Sequence, residues 1–119
     1  MTIALNFSGR EDIVAATQSI AKRIQDNSLD IRDIDVSLIS QNLALSHIAK
    51  DHQSPDLLIR TGGDKRISNF ILWHLAYTEL YFTDVYWPDF CKEDLLQALI
   101  EYSHRDRRFG ARSWKYENP

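Results

Sequence analysis

Arg60, Lys65, Arg66 and Ser68 gather around Gly62 and Gly63, and their donors suit one kind of ligand, an anion with several oxygens. Guanidinium forks grip such groups two oxygens at a time, and a glycine pair lets the backbone turn close beside them. Ordinary solvated charges on a loop are the competing reading of these cations. Glu79 follows between Thr78 and Leu80 at the edge of an apolar run, where a carboxylate is expensive to bury unless a cation or a metal offsets it. An ion pair with Arg60 or Arg66 and ligation of a metal both satisfy that requirement. The two are compatible if the metal displaces the pair when the anion arrives.

These side chains need elements to position them. Leu57, Leu58 and Ile59 are too few and too uniformly apolar for an amphipathic helix, so they predict a buried strand with Arg60 at its C-terminal end. Ser68 or Asn69 then caps a helix over residues 70–77, apolar nearly all round and therefore interior or at a subunit interface. Strand, glycine turn and helix start would converge free N–H groups and a positive dipole end on the same spot as the cations, which favours phosphate.

Upstream, residues 2–6 read as a strand and Phe7, Ser8, Gly9 and Arg10 as the turn after it. A buried parallel strand normally has chain before it to fill the sheet alongside. Residues 11–26 carry Ile13, Thr17, Ile20 and Ile24 at helical spacing, with Glu11 and Asp12 at the positive end and Lys22 and Arg23 toward the negative end. Asp33 or Asp35 caps a short helix through Leu38, Ile39 and Leu43. A third strand is expected over residues 80–84. Pro88 and Asp89 begin a last helix with Leu95, Leu99 and Tyr102 on one face, ending in a basic turn closed by Gly110. The order predicts an α/β fold, a mainly parallel sheet of about three strands flanked by helices.

Composition bounds the rest. The 119 residues, 44% hydrophobic, make at most one domain, and the net charge of −3 gives no general attraction to nucleic acid. Cys91 is the single cysteine, which excludes an internal disulfide and a cysteine-based zinc cluster and predicts a buried, inert thiol. His47 and His52 lack partners at ligand spacing and read as loop histidines. There is neither an apolar stretch of about twenty residues nor a leader pattern, so the cytoplasm is the expected location.

The ordered run Arg60-Thr61-Gly62-Gly63-Asp64-Lys65-Arg66-Ile67-Ser68-Asn69-Phe70, followed by Trp73, Ala76-Tyr77-Thr78-Glu79-Leu80-Tyr81-Phe82 and Trp87-Pro88, resembles the C-terminal half of cis-prenyltransferases of the undecaprenyl diphosphate synthase type. Asn6-Phe7-Ser8-Gly9-Arg10 is similar to the family's Asn-Tyr-Gly-Gly-Arg segment, with Ser8 in place of a glycine. Asp64 stands where the family usually has glutamate, and Lys65 where a relative has histidine. The resemblance implies condensation in cis of isopentenyl diphosphate onto an allylic diphosphate, with magnesium helping the allylic diphosphate to leave. It places isopentenyl diphosphate on Arg60, Arg66 and Ser68 and a magnesium-associated carboxylate at Glu79. It also implies that Arg108 and Gly110, the family's Arg-any-Gly segment, reach across a homodimer interface toward the partner's diphosphate.

Residues 1–119 would then be the C-terminal part of a single domain. The family's N-terminal Asp-Gly-Asn-Gly-Arg-Trp segment, which holds the allylic diphosphate, is absent, and with it any assigned catalytic residue. The chain is therefore expected to need that half from the same gene or a second chain, with peripheral membrane contact through the lipid product. The alternative is an inactive remnant or accessory subunit that dimerises with a prenyltransferase.

Overall fold

The computed structural model describes residues 1–47 and 54–106. Five regular elements carry the fold: α1 (Gly9–Gln25), α2 (Val36–Asn42), β1 (Leu57–Arg60), β2 (Glu79–Phe82) and α3 (Lys92–Ser103), with short 3-10 turns between them. β1 and β2 pair in parallel, Leu57 opposite Glu79 and Arg60 opposite Phe82. This is a partial α/β architecture, as the residue order predicts.

α1 starts where Ser8 accepts from the Glu11 amide, with Glu11 and Asp12 in its first turn and Lys22 and Arg23 in its last, so caps and charges agree with the macrodipole. It buries Ala16 and Ile20 and packs against α2, whose cap is Asp35 accepting from the Leu38 amide at 2.7 Å. Two side chains lock this pair: Asp12 accepts from the Ala44 amide at 2.9 Å, and Ser19 donates to Asn42 at 3.1 Å. Trp73 Nε1 donates to Ser40 Oγ at 2.9 Å and ties the 3-10 turn Leu72–Leu75 to α2. The core formed this way contains Ala16, Ile20, Leu43, Ile71 and the buried His74.

Several expectations are corrected. Residues 2–6 form no strand: among the described residues the sheet has two strands, and Ile3 and Leu5 stay exposed. β2 runs one residue earlier than the expected third strand and stops at Phe82. Neither strand is fully buried, and among the described residues α3 packs against the sheet through β2. The expected helix over residues 70–77 is only a single 3-10 turn, since Ser68, Asn69 and Ile71 all hold positive φ (48°, 65° and 33°). α-helix propagation needs successive right-handed residues, so the left-handed step at Ile71 stops it despite the apolar composition.

The last helix begins later than expected, after a 3-10 turn at Trp87–Asp89, and it buries Ala98 while Leu95, Leu96, Leu99 and Ile100 remain exposed. Cys91 is exposed, not buried, because it is the cap of α3. Its amide and thiol both donate to Asp94, at 2.8 and 3.1 Å. Hydrogen bonding to Glu93, followed by Asp94, pushes the thiol pKa up, since ionisation would place a thiolate against carboxylates. Its thiolate is thus disfavoured by hydrogen bonding to carboxylates and not by burial. Its alkylation by iodoacetamide should run slower at pH 8 than that of a free cysteine, with the rate inflecting above the usual thiol range. Glu93→Gln with Asp94→Asn should move the inflection down, as a rate-against-pH series would reveal.

Candidate functional site

β1 delivers Arg60 to the C-terminal end of the sheet, and the chain turns there through Gly62 and Gly63 at φ of 85° and 81°, conformations open to glycine without steric cost. The turn is pinned by the sheet partner: Gly62 N–H donates to Val85 O at 2.9 Å and Gly63 N–H to Thr83 O at 3.0 Å. A Cβ on Gly63 would also come within 3.2 Å of an Asp84 carboxylate oxygen. The residues after the turn fold back over the end of β1.

Three of the expected site residues meet in this fold-back. Arg60 Nη1 donates to Ser68 Oγ at 2.9 Å and also to the Arg66 carbonyl. Arg60 Nη2 reaches Asp64 Oδ2 at 2.8 Å, and Arg66 Nη2 reaches the same oxygen at 2.6 Å. Two guanidiniums therefore converge on one carboxylate oxygen. The Arg60 side chain is 25% exposed and that of Arg66 65%, so one fork is fixed in the wall and the other stands at the mouth. Beside them lies an open cleft of about 270 Å³ lined by Leu58, Ile59, Arg60, Thr61, Ile67 and Phe70. Lys65 is exposed on the same turn. Arg60, Lys65 and Arg66 outnumber Asp64 and the neighbouring Asp84, which leaves the turn cationic, and the cleft adds an apolar wall.

Helix-dipole assistance is absent from this corner in the form expected, because no helix starts at Ser68 or Asn69. Asn69 turns instead toward α1: its Oδ1 accepts from the Arg10 amide at 2.9 Å and its Nδ2 donates to Ser8 Oγ at 2.9 Å.

Glu79 stands apart from the cluster. The parallel register puts it opposite Leu57, three residues from Arg60, which is about 10 Å along the strand direction. Its partner is neither Arg60 nor Arg66 but Arg105, whose Nη1 donates to Glu79 Oε2 at 2.9 Å and to Leu80 O at 2.8 Å. Among the described residues no group of three or more His, Cys, Asp or Glu side chains could hold a metal. Glu79 with its Arg105 partner does not by itself make a magnesium site. His47 is exposed, while His52, Arg108 and Gly110 lie outside the described residues.

Asp64 and Arg105 are the ion-pair partners that residue spacing did not reveal. Asp64 sits between Gly63 and Lys65 within reach of both guanidiniums, a local signal that an i,i+4 pairing with Arg60 could have supplied. Arg105 lies 26 residues beyond Glu79, and no local pattern joins them.

A glycine turn, paired arginines and an apolar cleft thus meet at the end of a parallel strand. A model of the undecaprenyl diphosphate synthase family matches residues 1–110, and the chain belongs to that family. It is 50% identical over 110 residues to an isoprenyl transferase of Bacillus subtilis, covering 92% of this chain and 41% of that protein. It is 49% identical over 112 residues to dehydrodolichyl diphosphate synthase 3 of Arabidopsis thaliana, covering 94% and 36%. Among solved structures, lavandulyl diphosphate synthase from Lavandula x intermedia, crystallised with dimethylallyl diphosphate, superposes with a TM-score of 0.86 at 47% identity, covering 91% of this chain and 45% of that one. The chain spans less than half the length of these relatives.

The Glu79 pair generates a prediction of its own. Both side chains are about 30% exposed, so removing the guanidinium leaves a half-buried carboxylate and the Leu80 carbonyl without this donor. Arg105→Ala should lower stability by about 1 to 3 kcal/mol, the cost of stranding such groups. Urea unfolding followed by circular dichroism measures it.

Proposed function

We propose that this chain, as the C-terminal part of a cis-prenyltransferase domain, supplies the isopentenyl diphosphate site for condensation onto an allylic diphosphate. The observation that carries the reading is the convergence of Arg60 and Arg66 on the single Asp64 oxygen, with Ser68 on the other amino group of Arg60. An oxygen held by two guanidiniums is where a phosphate oxygen would bind, so Asp64 acts as the internal anion that keeps the forks together until diphosphate arrives. The cleft alongside, walled by Leu58, Ile59, Ile67 and Phe70, offers apolar contact to a five-carbon unit.

The other parts of the assembly follow from the same reading. Magnesium comes with the diphosphate, whose oxygens and water supply most of its ligands, and Glu79 is the carboxylate this chain can add once Arg105 releases it. Arg108 and Gly110 serve a neighbouring subunit. The protein works in the cytoplasm as a homodimer or with an N-terminal half, its lipid product drawing it to the membrane surface. The chain takes no nucleic acid. Support for assembly comes from the open edges of the two-stranded sheet among the described residues and from exposed Leu95, Leu96, Leu99 and Ile100, more apolar side chain than a lone domain usually leaves open. None of the described helices is long and apolar enough to cross a membrane.

Calorimetry with magnesium and inorganic diphosphate tests the site. Arg66→Ala should weaken binding by about 1.5 to 3 kcal/mol, the range for hydrogen bonds to charged groups, and unchanged binding would refute the assignment. For catalysis, the 119 residues alone should bind diphosphate yet incorporate no radiolabelled isopentenyl diphosphate into farnesyl diphosphate. Addition of an N-terminal half from a relative should restore incorporation, and Glu79→Ala should abolish it again. If no supplied half restores turnover, the chain is an inactive remnant or accessory subunit.

A further inference from the structure

The backbone beside the clamp holds Ser68 at φ 48°, Asn69 at 65° and Ile71 at 33°. Such a cluster of left-handed residues without glycine persists only where surrounding contacts over-determine it. The contacts come from the opposite end of the chain. Gly9 N–H donates to Asn69 O at 2.8 Å, Arg10 N–H to Asn69 Oδ1 at 2.9 Å, and Asn69 Nδ2 to Ser8 Oγ at 2.9 Å. The flanking rings meet as well, Phe7 against Phe70 edge to face with centroids 6.0 Å apart. The approach is tight enough that a Cβ on Gly9 would lie 2.8 Å from Asn69 O and 2.9 Å from Leu72 N. One asparagine thus saturates the first two amides of α1 while fixing the residue next to Ser68, whose hydroxyl accepts from Arg60.

We infer that Asn69 is a positioning residue for the anion clamp. Its amide, spread between Ser8 and Arg10, locks the left-handed backbone that aims the Ser68 hydroxyl at Arg60, and so orders the Arg60 fork before any ligand arrives. Asn is suited to the task because it tolerates positive φ and carries both a donor and an acceptor on one short side chain. Aspartate would keep the acceptor for Arg10 N–H but lose the donor to Ser8, and glycine would keep the backbone while losing both. The Ser8 link belongs to this chain's own side chains, since the resembled segment has glycine there. The link to the Arg10 amide is independent of the residue at position 8.

The inference rests on reading the clamp as a diphosphate site, so its test has one arm that needs ligand and one that does not. In the first arm, calorimetry with magnesium and inorganic diphosphate compares the parent chain with Asn69→Gly and Asn69→Asp. Asn69→Gly should bind roughly tenfold more weakly, the loss of about one net hydrogen bond's worth of fixed geometry, with Asn69→Asp between it and the parent. In the second arm, nuclear magnetic resonance follows the Arg60 side-chain N–H and the Ser68 amide in the absence of ligand. Both signals should move in Asn69→Gly, and less so in Ser8→Ala, which removes one link and also stands in if Asn69→Gly does not fold. Diphosphate affinity equal to the parent's in a folded Asn69→Gly would overturn the inference, as would unmoved Arg60 and Ser68 signals. A parent that binds no diphosphate would sink the proposed function alone, and the resonance arm would still decide the role of Asn69.

Discussion

The parallel pairing of β1 with β2 is the constraint on which the rest of the molecule hangs. Its ladder does not stop where the strands do: Thr83 N–H donates to Arg60 O, and the amides of Gly62 and Gly63 reach back to Val85 and Thr83. The glycine turn is thereby an extension of the sheet and not a free loop. Main-chain bonds fix the end of β1, and Arg60 begins from a rigid base. With that base in place, Asp64, Arg66 and Ser68 need only short local reach to close around it.

The same register separates two charge systems that would otherwise compete. Arg60, Arg66 and Asp64 share the C-terminal end of the strands, while Glu79 and Arg105 occupy the other end. The first system has more cations than anions and faces a cleft. The second is balanced and also satisfies the Leu80 carbonyl, so it fastens the chain after α3 to β2. The surplus positive charge therefore lies at the C-terminal end of the strands.

What residue order made legible was whatever depends on neighbours in the chain. Leu57 to Arg60 followed by two glycines, the caps at Asp35 and the paired charges of α1 are local signals, and the structure follows them. The failures share a different cause. Residues 70–77 have helical composition, but Asn69 is held by Ser8 and Arg10 some sixty positions away, and that long-range bonding fixes a backbone that local propensity would not choose. Residues 2–6 have strand composition and pair with no strand among the described residues. Glu79 was expected to seek the nearest known cations and found Arg105, which folding of α3 across β2 brings alongside. Cys91 is apolar enough to suggest burial, yet two acids just after it made a capping role available.

The exposed stripe on α3 has a thermodynamic consequence. Leu95, Leu96, Leu99 and Ile100 stand in water with relative exposures between 41% and 52%, so a surface that recognises their helical arrangement would bind the folded chain in preference to the unfolded one. Stability then becomes a property of the mixture, rising with the logarithm of the concentration of the covering surface. The melting temperature would then follow a titration curve, with α3 as the receptor.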